Sequence, residues 1–452
     1  MKTELSKNII TNQITEGIIW KQLLAFFFPI VFGTFFQQLY NTVDTMIVGY
    51  YVGKNALACV GGSAAQITSL IVSFFTGLSS GASVIISQFY GAQKKEEANR
   101  GLHTAIALSF IGSICVGILG YLFTPAILEL MNTPAELMPD TILYLRIYFT
   151  STLFLFLFNM GSAILQASGD SKHPLYYLIT CCLINIVLDY IFVVHLHLGV
   201  RGVAAATWAA QAVSSCLVIR RLSTQTSILH LSFSNIRIHM PTLKSQLRVG
   251  LPTGIQASLY AFSNALIMSA INSFGTDTVA AWSVYGKLDA IYWMVSGAFG
   301  IAITTFVGQN YGAGKYDRIK KSVGTCLIMH LTTSAFIIGF LILFRVPLFH
   351  LFTSDTTVIQ IGADMLILIT PFYIFYVFTE ILAGARKGMG DVFVPMFITL
   401  LGMCFLRIAW VLVCANYFHT VNAYLICYPA SWILCAIIFI LYYLFKRNRI
   451  TV

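Results

Sequence analysis

Twelve runs of mainly apolar residues divide this chain from end to end, and no polar stretch between them is long enough to build a domain of its own. A helix crossing a bilayer needs about 20 predominantly apolar residues. By that measure spans are expected near 22–52, 56–90, 100–124, 138–167, 174–195, 198–219, 246–274, 278–311, 321–345, 358–386, 392–415 and 421–445. Only 10% of the 452 residues are charged and 58% are apolar. That leaves too little polar surface to cover a water-soluble body of this size. Soluble enzymes, nucleic-acid binders and disordered scaffolds are excluded on this ground. The expected fold class is an all-α polytopic membrane protein in the lipid bilayer.

The net charge of +10 is explained by where the basic residues fall. Lys94, Lys95 and Arg100 follow the second span, and Lys172 follows the fourth. Arg220, Arg221, Arg237, Lys244 and Arg248 follow the sixth, Lys315, Arg318, Lys320 and Lys321 the eighth, and Arg386 and Lys387 the tenth. Lys2, Lys7 and Lys21 precede the first span; Lys446, Arg447 and Arg449 follow the last. The opposite loops hold little beyond Lys54, Arg201 and Arg345. The positive-inside rule therefore places both termini in the cytoplasm, with the protein a multi-pass component of the plasma (bacterial inner) membrane. No cleaved signal peptide is expected, since the polar N-terminal stretch has no short apolar core. The ten cysteines lie in or beside apolar runs without a CxxC pair and read as small packing residues.

The chain also repeats itself. Gln88-Phe-Tyr-Gly-Ala-Gln-Lys94 recurs as Gln309-Asn-Tyr-Gly-Ala-Gly-Lys315, Gly169-Asp170 recurs as Gly390-Asp391, and Pro174 recurs as Pro395, each 221 residues on; Pro29 and Pro252 differ by 223. Six spans per repeat give two halves of the same topology, related by an axis along the membrane normal, as in transporters. The expected organisation is an N-terminal half (1–221), a polar linker (222–243) and a C-terminal half (244–452). The glycine- and proline-rich repeats read first as helix ends and tight turns. There is no phosphate-binding loop, so transport would draw on an ion gradient.

A carboxylate inside a span is costly and marks a functional-site candidate. Asp44 lies in the first span, Asn185 and Asp189 in the fifth, one turn apart on one helix face, and Thr207 in the sixth. Asp189 is 15 residues beyond Pro174, about 22 Å along a helix, and all four residues are expected to share a layer of the N-terminal half. Two carboxylates, an amide and a hydroxyl suit a hard monovalent cation such as Na+, or a proton on a buried carboxyl pair. The equivalent positions in the second repeat are apolar, for example Trp410 and Leu406. The cation chemistry is therefore expected in the N-terminal half alone. Gln37, Tyr40, Asn41, Asn159 and Glu380 are the candidates for a substrate cavity; broad-specificity cavities are apolar, and one for flat organic cations would use some of the 35 phenylalanines through π-face contacts. Glu380 and Arg407 fall at different depths and should not pair. Lys287 and Asp289, two residues apart on different helix faces, read as structural or interfacial.

Taken together, the VDTMIVG stretch around Asp44, the two QxYGA-x-K loops, the ILQASGD and GARKGMGD pair and the NIVLDYIF stretch resemble the multidrug and toxic compound extrusion (MATE) family, in its bacterial branches. The resemblance runs from about residue 20 to 445. It implies a V-shaped transporter of two six-helix lobes that exports amphiphilic, often cationic compounds in antiport with Na+ or H+, with no other cofactor. It also implies that Asp44 couples ion to substrate and that Asn185, Asp189 and Thr207 belong to an N-lobe cation site. Some members use a seventh-span glutamate, for which this chain has no counterpart. A monomer is expected, with no nucleic-acid partner. A flippase for a lipid-linked precursor from the wider superfamily is the alternative; it would want a basic cavity. A membrane enzyme is excluded by the lack of any convergent catalytic set.

Overall fold

The computed structural model describes residues 14–225, 228–418 and 420–447; Lys2, Lys7 and Arg449 of the charge argument lie outside the described residues. Among these, twelve helices are long and apolar enough to span a membrane: α1 (Ile19–Val52), α2 (Lys54–Gly91), α3 (Lys95–Leu130), α4 (Met138–Ala167), α5 (Lys172–His195), α6 (Val200–Thr224), α7 (Met240–Asn272), α8 (Thr276–Gly312), α9 (Tyr316–Leu343), α10 (Thr356–Gly388), α11 (Phe393–Cys414) and α12 (Val421–Lys446). No end departs from its expected position by more than six residues.

The departures have local causes. α3 begins at Lys95 because Glu96 and Glu97 in its first turn complement the positive helix end. α7 begins at Met240 because Pro241 suits a first turn, where its missing N–H costs nothing. The linker is correspondingly shorter than expected. Its chain is folded back on α3, where Asn99 donates to the Ile228 carbonyl at 2.6 Å and accepts from the His230 N–H at 2.9 Å.

Because twelve consecutive spans alternate in direction, the Lys- and Arg-rich C-terminal ends of α2, α4, α6, α8, α10 and α12 fall on one side, called here the basic face. The two halves meet along α2 and α7, where glycines let the backbones touch. A Cβ on Gly77 would overlap Gly254, and one on Gly81 would overlap Gly250. This is small-residue packing, the means by which helices associate where lipid removes the hydrophobic drive. α1 bridges the halves. Its first turns carry Phe26 and Phe27 into the core of the C-terminal half, Phe27 stacking on Phe299 with ring centroids 4.2 Å apart. Its far end carries Asp44 into the N-terminal half.

Candidate functional site

Asp44 and Asp189 each stand at the edge of a π-helical turn. α1 runs as an α-helix to Ile47 and then widens to a π-helix over Val48–Val52; α5 does the same directly after Asp189, over Tyr190–His195. Such turns are uncommon and concentrate at functional sites. They meet each other in the N-terminal half and set the two carboxyl groups side by side, where two negative charges repel unless a proton or a cation screens them. Asn185 donates to the Thr207 hydroxyl at 3.5 Å. All four residues are buried, Asp189 completely.

The four residues expected to share a layer are thus brought together. The oxygens Asp44 Oδ1, Asn185 Oδ1 and both carboxylate oxygens of Asp189 have no protein donor. Buried acceptors are rarely left without a partner. An unpartnered hard-oxygen set fits an alkali cation or a shared proton, and no group of three His, Cys, Asp or Glu among the described residues offers a transition-metal site. Sequence reasoning missed Tyr144, which is buried in the same cluster as Val48 of the π-turn and lies within electrostatic reach of both carboxylates. It also placed Tyr40 on the substrate cavity; Tyr40 is not among the residues lining the cavity described below, and lies within electrostatic reach of Asp44. Asn41 is exposed and does not line the cavity described below.

A separate cavity of about 540 Å³ lies between the halves, nearer the basic face. Gln37, Asn159 and Glu380, three of the five candidates for a substrate cavity, line it. Lys387, assigned to a loop by its neighbours in sequence, lines it too, because α10 continues to Gly388. Glu380 and Lys387 are the only charged residues among the described lining, and Phe158 is its only aromatic ring. Elsewhere in the lining small apolar side chains alternate with hydroxyls and amides. α10 approaches α8 through Gly384 and Gly388, where a Cβ would meet Ile303 and the Thr304 carbonyl. Glu380 lies directly over the bare backbone of Gly300 and accepts from the Tyr376 hydroxyl at 2.9 Å.

The repeated motifs close the molecule between this cavity and the basic face. Gln88 donates to the Gly388 carbonyl at 2.8 Å, and Gln309 donates to the Ala167 carbonyl at 2.6 Å. A Cβ on Gly91 would overlap Gln309, and one on Gly312 would overlap Gln88. The Gly-Asp motifs brace the adjacent turns: Asp170 pairs with Arg221 at 3.7 Å and His173 at 2.5 Å, while Asp391 takes Arg386 and the Tyr442 hydroxyl, each at 2.5 Å. Residues 14–17 lie across this closure. Lys315 donates to the Thr15 carbonyl at 3.0 Å, and Arg318 donates to the carbonyls of Ile14, Glu16 and Gly17.

The C-terminal half has a polar centre of its own that the repeat comparison did not reveal. Asp289, expected to be structural or interfacial, accepts from Trp293 Nε1 at 2.6 Å and from the Tyr373 hydroxyl. Arg407 is completely buried, donates to Ser431 at 2.9 Å and Asn264 at 3.4 Å, and lies over the Tyr428 ring at 4.4 Å. Lys287 is exposed, above Phe352. Both oxygens of Asp289 already have donors, so this centre lacks the unpartnered acceptors of the first.

The MatE family pattern matches residues 29–191 and 252–413, one match in each repeat. Among curated proteins the chain is similar to the probable multidrug resistance protein YoeA of Bacillus subtilis, 25% identical with 98% of each chain covered. It is also similar to the probable multidrug resistance protein YpnP of the same organism, 28% identical over 87% of this chain and 88% of that one. The FAD transporter of Shewanella oneidensis is 23% identical over 76% of each. Among solved structures, a MOP superfamily transporter from Pyrococcus furiosus superposes with a TM-score of 0.90 at 21% identity, covering 98% of both chains. An outward-facing MATE family multidrug transporter superposes equally well, at 21% identity over 97% of this chain and 98% of that one.

Proposed function

The chain belongs to the MatE family of membrane transporters, and from that premise we propose that it is a secondary active exporter of amphiphilic organic compounds, driven by inward Na+ or H+ flux. The observation that carries this reading is the set of four unpartnered, buried oxygens on Asp44, Asn185 and Asp189, set apart from the cavity between the halves. An ion entering there screens two neighbouring carboxylates and changes the packing of α1 below the π-turn. Since α1 also contributes Pro29, Ile30 and Gln37 to the cavity wall, ion and substrate compete through one helix. The basic face is cytoplasmic in this reading, and the closed motifs correspond to the state open to the outside. The similarity to named multidrug transporters supports a small organic substrate.

A flippase would want a basic cavity for its pyrophosphate. Here one lysine is matched by one glutamate, which favours the exporter. The test is efflux of a fluorescent organic cation from proteoliposomes of the full chain, with sodium and proton gradients imposed one at a time. Flux under one gradient that is lost in Asp44→Asn supports the reading and names the ion. Flux retained in that variant, or driven by neither gradient, overturns it.

A further inference from the structure

The cavity between the halves has two walls that are the same helix pair seen twice. Asn159 and Gln166 on α4 line the N-terminal wall; Glu380 and Lys387 on α10 line the other. Each pair is separated by the repeat offset of 221 residues, as are Gln88 and Gln309, or Ala167 and Gly388, which make reciprocal bonds. The offset is therefore one of position in space as well as sequence. Ser79 on the first wall likewise stands where the second has Gly300, and the bare Gly300 backbone makes room for the longer Glu380 side chain. One wall is thus a neutral amide pair. The other, at the same two positions, is an acid and a base.

Glu380 and Lys387 are seven residues apart, two turns along one helix face, which separates their Cα atoms by about 10 Å. Lys387 has no ion pair within 4 Å among the described residues, and Glu380 holds only the Tyr376 hydroxyl. The two side chains thus make no direct ion pair, though each lies within electrostatic reach of the other. The hydroxyls of Ser79 and Ser162, both at least nine-tenths buried on the opposing wall, have no hydrogen-bond partner. A hydrogen-bonding ligand would satisfy them, and a flat apolar cation would not. With a single ring, Phe158, the cavity has little π surface to hold such a cation.

We propose that the cavity selects amphoteric solutes, carrying a cationic nitrogen and an anionic group about 10 Å apart on a hydrogen-bonding body, with Glu380 and Lys387 reading the two charges. This rests on the exporter reading above and specifies its substrate class. Asn159 and Gln166 serve the uncharged body of the solute. The C-terminal wall is then the specificity wall, and the N-terminal half holds the ion.

The test uses the full chain in nanodiscs and three probes on one scaffold. Triserine is a zwitterion whose charged ends are about 10 Å apart at roughly 3.3–3.6 Å per residue. Triserine amide keeps only the cation and N-acetyl-triserine only the anion. Binding by calorimetry is expected to favour triserine over both by about ten-fold. Glu380→Asn with Lys387→Gln turns the C-terminal wall into a copy of the neutral one, with residues the repeat already accepts, and should bring the three probes within about three-fold of each other. Lys387→Arg keeps the charge and should keep the order. Equal binding of triserine and its amide by the unaltered protein, no binding of any of the three, or an unchanged order in the double variant would overturn the proposal. Gradient-driven efflux of the dye cation by the same proteins reconstituted in proteoliposomes separates the two readings: if it persists while the zwitterion preference is missing, only the substrate class fails; if it is absent, the exporter reading fails.

Discussion

Gln88 and Gln309 hold the two halves of the chain together by the same bond made twice: each side chain donates to a carbonyl of the other half, Gln88 to Gly388 and Gln309 to Ala167, and each passes a glycine of the other's motif in backbone contact. Four residues whose repetition first suggested turn chemistry are a latch between halves.

The latch should open when either glycine is given a side chain. Gly91→Val places methyl groups inside the Gln309 backbone, and overpacking of this kind costs about 1–3 kcal/mol. Electron spin labels at Lys95 and Lys321, both exposed on the basic face, should report a longer and broader distance distribution in this variant. An unchanged distribution would show that the contact does not hold the halves closed.

Asp189→Asn should abolish gradient-driven efflux by at least about ten-fold while leaving helicity and detergent elution unchanged, since the amide keeps the shape but removes one of two charges facing the ion. If sodium is the ion, it should raise the unfolding temperature of the unaltered protein, with about 2.7 kcal/mol of stabilisation at 100 times its dissociation constant, and should not do so in this variant. A sodium-induced shift of equal size in both proteins would move the ion away from Asp189.

Arg407→Ala should cost roughly 2–4 kcal/mol, because it removes the hydrogen bonds that a buried guanidinium makes to Ser431 and Asn264, a cation from the Tyr428 face, and the packing of a completely buried side chain. Thermal unfolding in detergent measures it. A loss below about 1 kcal/mol would mean that this buried guanidinium is not a structural brace.

Arg318→Ala should free residues 14–17 from the closed basic face. Arg318 donates to three of their carbonyls, the Glu16 and Gly17 bonds each at 2.8 Å, so amide hydrogen exchange across this stretch should rise by about ten-fold or more. Exchange unchanged from the parent would assign the hold to Lys315 and Asn310 instead.

Much of this was legible without coordinates. The twelve spans, their ends to within six residues and the two-fold repeat follow from hydropathy and from motif spacing, because lipid forces every backbone polar group into a helix and leaves length as the readable variable. The convergence of Asp44, Asn185, Asp189 and Thr207 was also readable, since acids are so costly in lipid that their depth along a helix is informative. Lys387 was misplaced because a basic residue near a span's end is indistinguishable in sequence from one in the following loop. Yet the signal was present: Asn159 and Glu380, and Gln166 and Lys387, stand at the same offset as the motifs.

What the sequence determined by itself was the membrane class, the helix count, the repeat and the residues dear enough in energy to mark a site. Only the tertiary structure decided which helices touch, that α1 and α5 widen to π-turns beside their carboxylates, that the glycine motifs interlock, and which side chains face the cavity. The physical reason is that hydropathy is a property of each segment alone. Packing between helices in lipid depends on small-residue contacts and side-chain direction, and hydropathy carries neither.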